Sequence, residues 1–200
     1  HHALASNSTI TVTKQDVPNS FAGGVFGFCG TNFKFHADGN ENCKMQINNV
    51  TVNGGGYTGG VVGCEKGAND VIAKYLSIQS SKITSASTSG SRPIPALGGM
   101  FGCVGVNSDA NLTINHISIS GTTVQTVQME EPTLQPSAGG VVGYLTSSLC
   151  ANISYVTLTG NLTVDGYSAG GVVGYADDYC KGVKITNASV TASEGENLQI

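Results

Sequence analysis

A glycine-rich pattern of seven residues that recurs five times constrains this chain more than any other feature of its sequence. Each copy has one small or apolar residue, two glycines, two apolar residues, a third glycine and a final aromatic residue or cysteine. The copies are Ala22–Phe28, Thr58–Cys64, Leu97–Cys103, Ala138–Tyr144 and Ala169–Tyr175. Successive first glycines are 36, 39, 41 and 31 residues apart. Repetition at such a period is typical of solenoids and other repeat arrays.

Short strand patterns fill the sequence between these copies. Apolar residues alternate with Thr, Ser or Asn in the segments Ile10–Thr13, Val50–Asn53, Ile117–Ser120, Val156–Thr159 and Val190–Ser193, with Ile83–Ala86 as a weaker copy. A second apolar-x-apolar step precedes most of them. Alternation with period two indicates strands that bury one face. A unit of three such strands cannot bury its apolar side chains alone, but turns stacked at about 4.8 Å can.

We therefore predict an all-β fold, a parallel β-solenoid of about five irregular turns with three short strands per turn. Residues 1–200 form a single domain, either alone or as part of a longer chain. The repeats lie near residues 10–28, 45–64, 76–103, 112–144 and 151–175, with a partial repeat at 183–193. One inward column is expected to contain Ile10, Val50, Ile83, Ile117, Val156 and Val190. A sandwich of antiparallel hairpins is the competing all-β fold, but it does not explain the recurring glycine unit.

Composition excludes several classes of protein. Charged residues make up 11% of the chain, its net charge is -4, and Arg92 is its single arginine. A nucleic-acid binder needs a basic surface, so no nucleic-acid partner is expected. Hydrophobic residues make up 40% of the chain in short runs, which argues against disorder. No apolar run approaches the roughly 20 residues of a membrane span, so no membrane insertion is expected.

Cysteines and glycosylation sequons point to an oxidising compartment. The chain has six cysteines, an even number, and none of them belongs to a Cys-x-x-Cys pair. Six N-x-[S/T] sequons begin at Asn7, Asn49, Asn111, Asn152, Asn161 and Asn187. Together they favour a secreted or cell-surface glycoprotein with disulfides, glycosylated on at least half of these sequons. A reduced intracellular protein with small buried cysteines is the alternative.

Stacking of the turns predicts which cysteines pair. Cys64 and Cys103 end adjacent copies of the glycine motif, so they lie within the separation that a disulfide accepts. Cys150 and Cys180 follow the next two copies at similar distances in sequence. Cys29 and Cys43 remain as the third pair. This assignment depends on the stacking argument alone, since six cysteines allow many connectivities.

The Gly-Gly-Val-Val-Gly-Tyr units within Ala138–Tyr144 and Ala169–Tyr175 resemble the GLUG repeat of β-solenoid regions in large cell-surface proteins of bacteria and protists. The resemblance extends from Ala22 to about Tyr175 and implies a surface protein, adhesive or otherwise non-catalytic. The chain departs from the repeat by using Val or Met at the third position of the motif, where Leu is usual. Its cysteines and sequons also exceed what a bacterial repeat leads one to expect, which indicates a eukaryotic member or a convergent solenoid.

Candidate catalytic and metal-binding residues are few. The acidic pairs Asp177–Asp178 and Glu130–Glu131 do not recur on neighbouring repeats, so we interpret them as solvated loop charges. His36 and Asp38 form a His-x-Asp motif, but His116 is distant in sequence and no third ligand is evident. We therefore predict no catalytic residue, no metal and no cofactor. Outward hydroxyls at Thr11, Thr51, Thr84, Ser118, Thr157 and Thr191 would form a column of the kind found in ice-binding proteins.

The leading hypothesis is a non-enzymatic extracellular glycoprotein that serves as a surface, adhesive or filament-forming structural module. The alternatives are a carbohydrate-active β-helix enzyme, with lyase or hydrolase activity, and an ice-binding protein. The first and last strand patterns carry no evident cap, and exposed strand edges invite pairing. We therefore expect end-to-end self-association or neighbouring repeats of a longer chain, with glycans or a cell-surface protein as further partners.

Overall fold

The computed structural model describes residues 2–12, 20–30, 34–68, 70–85, 95–106, 111–126, 135–146, 150–192 and 198–200. Within these residues the chain forms strands and no helix, and the strands associate into three parallel sheets. The architecture is a parallel β-solenoid, which confirms the predicted fold class.

Sheet 1 contains the long strands of the solenoid and the short strands that continue them. Its eleven strands are β1 (His2–Thr11), β4 (Lys34–Asp38), β5 (Met45–Gly54), β8 (Asp70–Gln79), β9 (Lys82–Ser85), β12 (Asn111–Ser120), β13 (Thr123–Thr126), β16 (Cys150–Thr159), β17 (Leu162–Asp165), β20 (Val183–Thr191) and β21 (Leu198–Gln199).

Sheets 2 and 3 contain five short strands each. Sheet 2 consists of β2 (Phe21–Gly23), β6 (Tyr57–Gly59), β10 (Ala96–Gly98), β14 (Ser137–Gly139) and β18 (Ser168–Gly170). Sheet 3 consists of β3 (Phe26–Cys29), β7 (Val62–Ala68), β11 (Phe101–Val106), β15 (Val142–Thr146) and β19 (Val173–Ala176). Each glycine motif supplies the end of a sheet 2 strand, a tight corner and the start of a sheet 3 strand.

The solenoid has about four turns, so the prediction of about five is wrong. The five motif copies supply the five strands of sheet 2 and the five strands of sheet 3. From one copy to the next the chain makes one turn, so five copies are separated by only four turns. The copies stack in register, as Phe101 shows by pairing with Val62 on one side and Val142 on the other.

Close backbone approach explains the glycines. A Cβ on Gly99 would lie 2.1 Å from the carbonyl oxygen of Gly140 on the next turn. A Cβ on Gly102 would lie 2.4 Å from the backbone nitrogen of Thr58. Real Cβ contacts are never this short, so sheets 2 and 3 pack backbone against backbone. The sequence interpretation of these glycines as points of close approach is confirmed.

The core consists of apolar columns that run along the solenoid axis. One column contains Ile47, Ile78, Ile119 and Leu158, all fully buried. Another contains Val52, Ile83, Val124 and Val164, also fully buried. Stacking identical or similar side chains in register lets each turn cover the apolar surface of the turn before it.

The predicted inward column is wrong in its alignment. Ile10 pairs with Val52 rather than with Val50, Ile83 pairs with Val124, and Val190 pairs with Leu158. The apolar-Thr-apolar pattern occurs on two successive arms of each turn. Both arms satisfy period-two alternation, so the pattern alone does not tell them apart.

Two corners in sheet 1 have left-handed backbone conformations, with φ between 47° and 83°. One corner contains Asn7, Asn49, Ser80, Gly121 and Gly160, mostly residue types that tolerate this conformation. The other contains Tyr75, His116, Tyr155 and Asn187. The aromatic residues of this second corner are unusual there and lie beside the groove described below.

We predict that Gly99→Ala lowers the free energy of unfolding by about 3 kcal/mol or more, because its methyl group would overlap the backbone of the next turn. Gly30→Ala is the matched control, since among the described residues its Cβ would meet only a ring carbon of Phe28, at 3.3 Å. Urea denaturation of both variants measures the difference. Equal losses of stability would contradict the backbone-packing account.

Candidate functional site

A groove of about 510 Å³ runs along the outside of sheet 1 at the second corner. Three aromatic residues form one wall of it: Tyr75 on β8, His116 on β12 and Tyr155 on β16. They occupy the same position on successive turns, because the residues on both sides of them pair in register. We call this row of three rings the corner ladder.

Backbone conformation projects the corner ladder outward. Tyr75, His116 and Tyr155 have φ values of 52°, 54° and 53°. In this left-handed region an L-residue other than Gly loses about 1–2 kcal/mol. The strand bends at each of these residues, so all three side chains leave the sheet in one direction.

Ring stacking offsets part of this strain. The rings of Tyr75 and His116 have centroids 4.4 Å apart and an interplanar angle of 13°. Those of His116 and Tyr155 are 4.7 Å apart at 6°. Each such aromatic pair contributes about 0.5–1.5 kcal/mol beyond the area that it buries.

The two ends of the corner ladder differ. Beside Tyr75 lies the segment that follows β4, where the Gly39 N–H donates to the carbonyl of Lys74 over 3.2 Å. Beyond Tyr155 the next residue of the column is Asn187, which carries no ring. Tyr155 is 51% exposed, so its outer face is open to solvent.

Apart from Ile117, polar side chains form the rest of the groove. Ser118 and Thr157 line the groove from the parts of β12 and β16 that follow the corner. Glu41 and Lys44 contribute a carboxylate and an ammonium group to the lining. The imidazole Nδ1 of His116 is hydrogen-bonded to the side chain of Asn115. One carboxylate and one ammonium leave the lining with no net charge, so the groove suits a neutral, polar ligand with an apolar face.

A second row of rings lies across sheets 2 and 3. Its centroid separations run from 4.8 to 6.4 Å, in the order Phe28, Phe21, Tyr57, Tyr144, Tyr175. Small side chains at Cys64 and Cys103 leave room that the ring of Tyr57 covers. Burial, followed by the proximity of these two thiols, raises the pKa of Tyr57. Phe28 and Tyr175 at the two ends of this row are about half exposed, whereas Phe21, Tyr57 and Tyr144 are partly buried.

Asp177 anchors the end of this second row. Its carboxylate accepts hydrogen bonds from the Tyr144 hydroxyl at 2.8 Å, from the Thr146 hydroxyl, and from the Tyr179 N–H at 3.0 Å. Burial and the hydrogen bond to Asp177 raise the pKa of Tyr144. The interpretation of Asp177 as a solvated loop charge is therefore wrong, whereas Asp178 is exposed. Glu130–Glu131 lie outside the described residues.

The His-x-Asp motif forms cross-strand pairs with β8. His36 Nε2 lies 3.2 Å from Asp70 Oδ2, and Lys74 Nζ lies 3.3 Å from Asp38 Oδ1. His116 belongs to the corner ladder instead. In the described part of the chain, no three His, Cys, Asp or Glu side chains are grouped so that they could hold a metal ion.

The cysteines lie partly as the stacking argument requires. Cys64 and Cys103 are register partners on adjacent turns, and a hydrogen bond between them, reinforced by burial, raises the pKa of Cys103. Cys29, Cys43, Cys64, Cys103 and Cys180 are present as thiols. The Cys180 thiol contacts the Leu145 carbonyl at 3.2 Å. The Cys150 side chain lies outside the described set, and all three disulfide pairings stay predictions.

Sequence reasoning missed one buried carboxyl group. Glu65 on β7 is 0% exposed and pairs in register with Cys29 and Val104. Burial, and then the nearby Glu65 and Cys64, raise the pKa of Cys29 to about 11. The signal was present in the sequence, since Glu65 directly follows its motif copy, where the adjacent copies have the apolar Val104 and Leu145.

Four of the six sequon asparagines have exposed side chains: Asn7, Asn49, Asn161 and Asn187. Asn152 is half-buried within β16, and the side chain of Asn111 lies outside the described set. Asn49 Nδ2 donates to Asn7 Oδ1 over 2.9 Å, so these two occupy neighbouring positions on adjacent turns.

The predicted hydroxyl column is interrupted. Thr11 pairs with Asn53, Thr84 pairs with Asn53 and Gln125, and Thr191 pairs with Thr159. Ser118 and Thr157 do stack, but they belong to a different arm from Thr11 and Thr84. The regular hydroxyl column on which the ice-binding alternative depends is therefore absent from these positions.

Comparison of the chain with protein-family models, with curated proteins and with solved structures finds no match. The resemblance to the GLUG repeat thus stays an inference from the glycine motif. Among the described residues, none belongs to a helix that is long and apolar enough to cross a membrane.

We predict that Asp177→Ala destabilises the protein by about 1–3 kcal/mol, because Tyr144, Thr146 and the backbone of Tyr179 lose their acceptor. Asp178→Ala, one residue away and exposed, is expected to change stability by less than about 0.5 kcal/mol. Thermal unfolding of the two variants measures the contrast. If Asp178→Ala were equally destabilising, the anchoring role of Asp177 would be wrong.

Proposed function

We propose that this chain is a non-catalytic extracellular glycoprotein and acts as a surface module with an adhesive role. One observation carries the proposal: the corners of the solenoid present rings and sequon asparagines to solvent, whereas several carboxylates that could perform acid–base chemistry are engaged in contacts within the solenoid. A rigid solenoid that repeats its surface at each turn suits recognition of extended partners.

The carboxylates support a non-catalytic role. Asp38, Asp70 and Asp177 each contact a side chain within the solenoid, and Asp165 accepts from Gln125 at 3.2 Å. Glycoside hydrolysis generally needs two carboxyl groups on opposite sides of the scissile bond. Among the described residues that line the groove, Glu41 is the acid.

Glu41 keeps a carbohydrate-active enzyme as the second candidate, because it lies in a groove with an aromatic wall. Incubation with polysaccharides, followed by mass spectrometry for shortened products, separates the two functions. Products that Glu41→Gln abolishes would favour the enzyme and would contradict the non-catalytic proposal.

Glycosylation gives the proposed location its own test. After secretion from a eukaryotic host, we expect glycans on at least half of the six sequons. Asn7 and Asn49 are stacked about 4.8 Å apart, so one molecule is expected to carry a bulky glycan at one of them and not at both. Intact mass before and after deglycosylation and reduction, with glycopeptide mapping, measures occupancy and disulfides together.

Asn49→Gln serves as the control for crowding and is expected to raise the occupancy of Asn7. Full occupancy of both sites in one molecule would contradict the crowding argument. If all six asparagines were unmodified, the proposal of a secreted glycoprotein would fail.

We propose in addition that the edge of β20 pairs with a further parallel strand, either from a second copy of the chain or from neighbouring repeats of a longer one. Val183 and Ile185 pair in register with the buried Ala151 and Ile153, yet both are exposed. Among the described strands, β20 pairs with β16 alone. A strand edge beside exposed apolar side chains favours β-augmentation.

If copies of the chain associate in this way, Ile185→Lys is expected to abolish assembly of the isolated chain, since it places a charge in the apolar column. Thr186→Lys is the matched control, because Thr186 pairs with Ser154 on the outward side. Light scattering against concentration and electron microscopy measure assembly. A parent chain that is monomeric at every concentration would refute pairing between copies.

A further inference from the structure

We infer that the open face of Tyr155 binds the pyranose ring of a neutral sugar, which stacks on the end of the corner ladder next to Asn187. The inference rests on the proposed adhesive function and names its ligand. The sugar would lie at the Asn187 end of the groove, between the ring of Tyr155 and the polar side chains beside it.

The geometry of the ladder defines where a ligand ring fits. The faces of Tyr75, His116 and Tyr155 that look toward one another are covered, at centroid separations of 4.4 and 4.7 Å. Beyond the outer face of Tyr155 the column continues with Asn187, and no ring of a described residue stacks on this face. An apolar patch of C–H groups on a pyranose can stack on such a face, which carries the negative part of the aromatic quadrupole.

Neighbouring side chains match the rest of a sugar. Thr157 and Asn187 line the same groove and both are exposed. Their hydroxyl and amide groups can each donate and accept hydrogen bonds, as sugar hydroxyls do. One apolar platform with a few convergent polar groups is the usual composition of a small-molecule site.

Charge and geometry exclude the other ligands that stack on aromatic rings. A nucleic acid would need a basic groove, whereas Lys44 is balanced here by Glu41. A quaternary ammonium ligand is held by a cage of several aromatic faces, whereas the corner ladder offers one open face. A neutral sugar needs neither feature.

The sugar can come from two sources with the same chemistry. It is a unit of a partner's glycan, or it is the first sugar attached to Asn187 itself. Asn187 begins the sequon Asn187-Ala188-Ser189, is exposed, and follows Tyr155 in the corner column. The two sources give different results in the two arms of the experiment.

The first arm uses unglycosylated chain made in bacteria. Isothermal titration is carried out with short neutral oligosaccharides of glucose, N-acetylglucosamine, mannose and galactose. If the sugar belongs to a partner, Tyr155→Ala raises the Kd about tenfold, while Tyr155→Phe, which keeps the ring, retains binding. Tyr179→Ala is the matched control, because Tyr179 is 74% exposed and lies outside the groove.

The second arm uses chain secreted from a eukaryotic host, with its glycan at Asn187. If the sugar is the protein's own, trimming this glycan lowers the Tm in the parent and in Tyr155→Phe, and has no effect in Tyr155→Ala. The comparison is made within each variant, so any loss of stability from Tyr155→Ala itself cancels.

Binding or stabilisation that depends on the Tyr155 ring in either arm supports the inference. Its absence from both arms, or an equal loss in Tyr179→Ala, would overturn it. Recovery of shortened oligosaccharide in the first arm would refute the non-catalytic function while supporting the sugar site. A chain that adheres to cells equally well with Tyr155→Ala and shows no effect in either arm would keep the adhesive function and lose the site.

Discussion

The solenoid depends on the approach of backbone to backbone at its glycine corners. Gly99 and Gly140 lie so close that a Cβ on Gly99 would fall 2.1 Å from the carbonyl oxygen of Gly140, and a Cβ on Gly140 would fall 2.0 Å from that of Gly171. The third glycine of the motif, such as Gly102 against the backbone of Thr58, lets sheets 2 and 3 lie directly against each other. The apolar residues between the glycines, such as Val61 and Val141, can then turn inward and be fully buried.

Register follows from this packing and spreads to the rest of each turn. Once the glycine corners of adjacent turns coincide, the strands of sheet 1 are fixed relative to one another, although turns differ in length. Differences in length are confined to the segments between strands. A parallel solenoid therefore tolerates insertions at its corners while its apolar columns remain continuous.

Register also determines what the surface can do. Any outward position becomes a row of side chains about 4.8 Å apart, so a ring at one corner meets a ring at the next. The corner ladder is the clearest result, since Tyr75, His116 and Tyr155 are widely separated in sequence. Positive φ at all three is unfavourable for aromatic residues, and their stacking helps to hold them there. The face that remains uncovered, on Tyr155, is the feature on which the sugar site depends.

The sequence by itself determined the fold class, because a glycine unit repeated at 31 to 41 residues and strands of period two leave few other ways to bury the apolar residues. It also placed Cys64 beside Cys103, since both hold the same position in adjacent motifs. Only the tertiary structure decided the register of the other strands. Two arms of each turn share one alternating pattern, and nothing in the pattern says whether Ile10 stacks on Val50 or on Val52. For the same reason the corner ladder was hidden, because stacking is a property of aligned turns and not of any one segment.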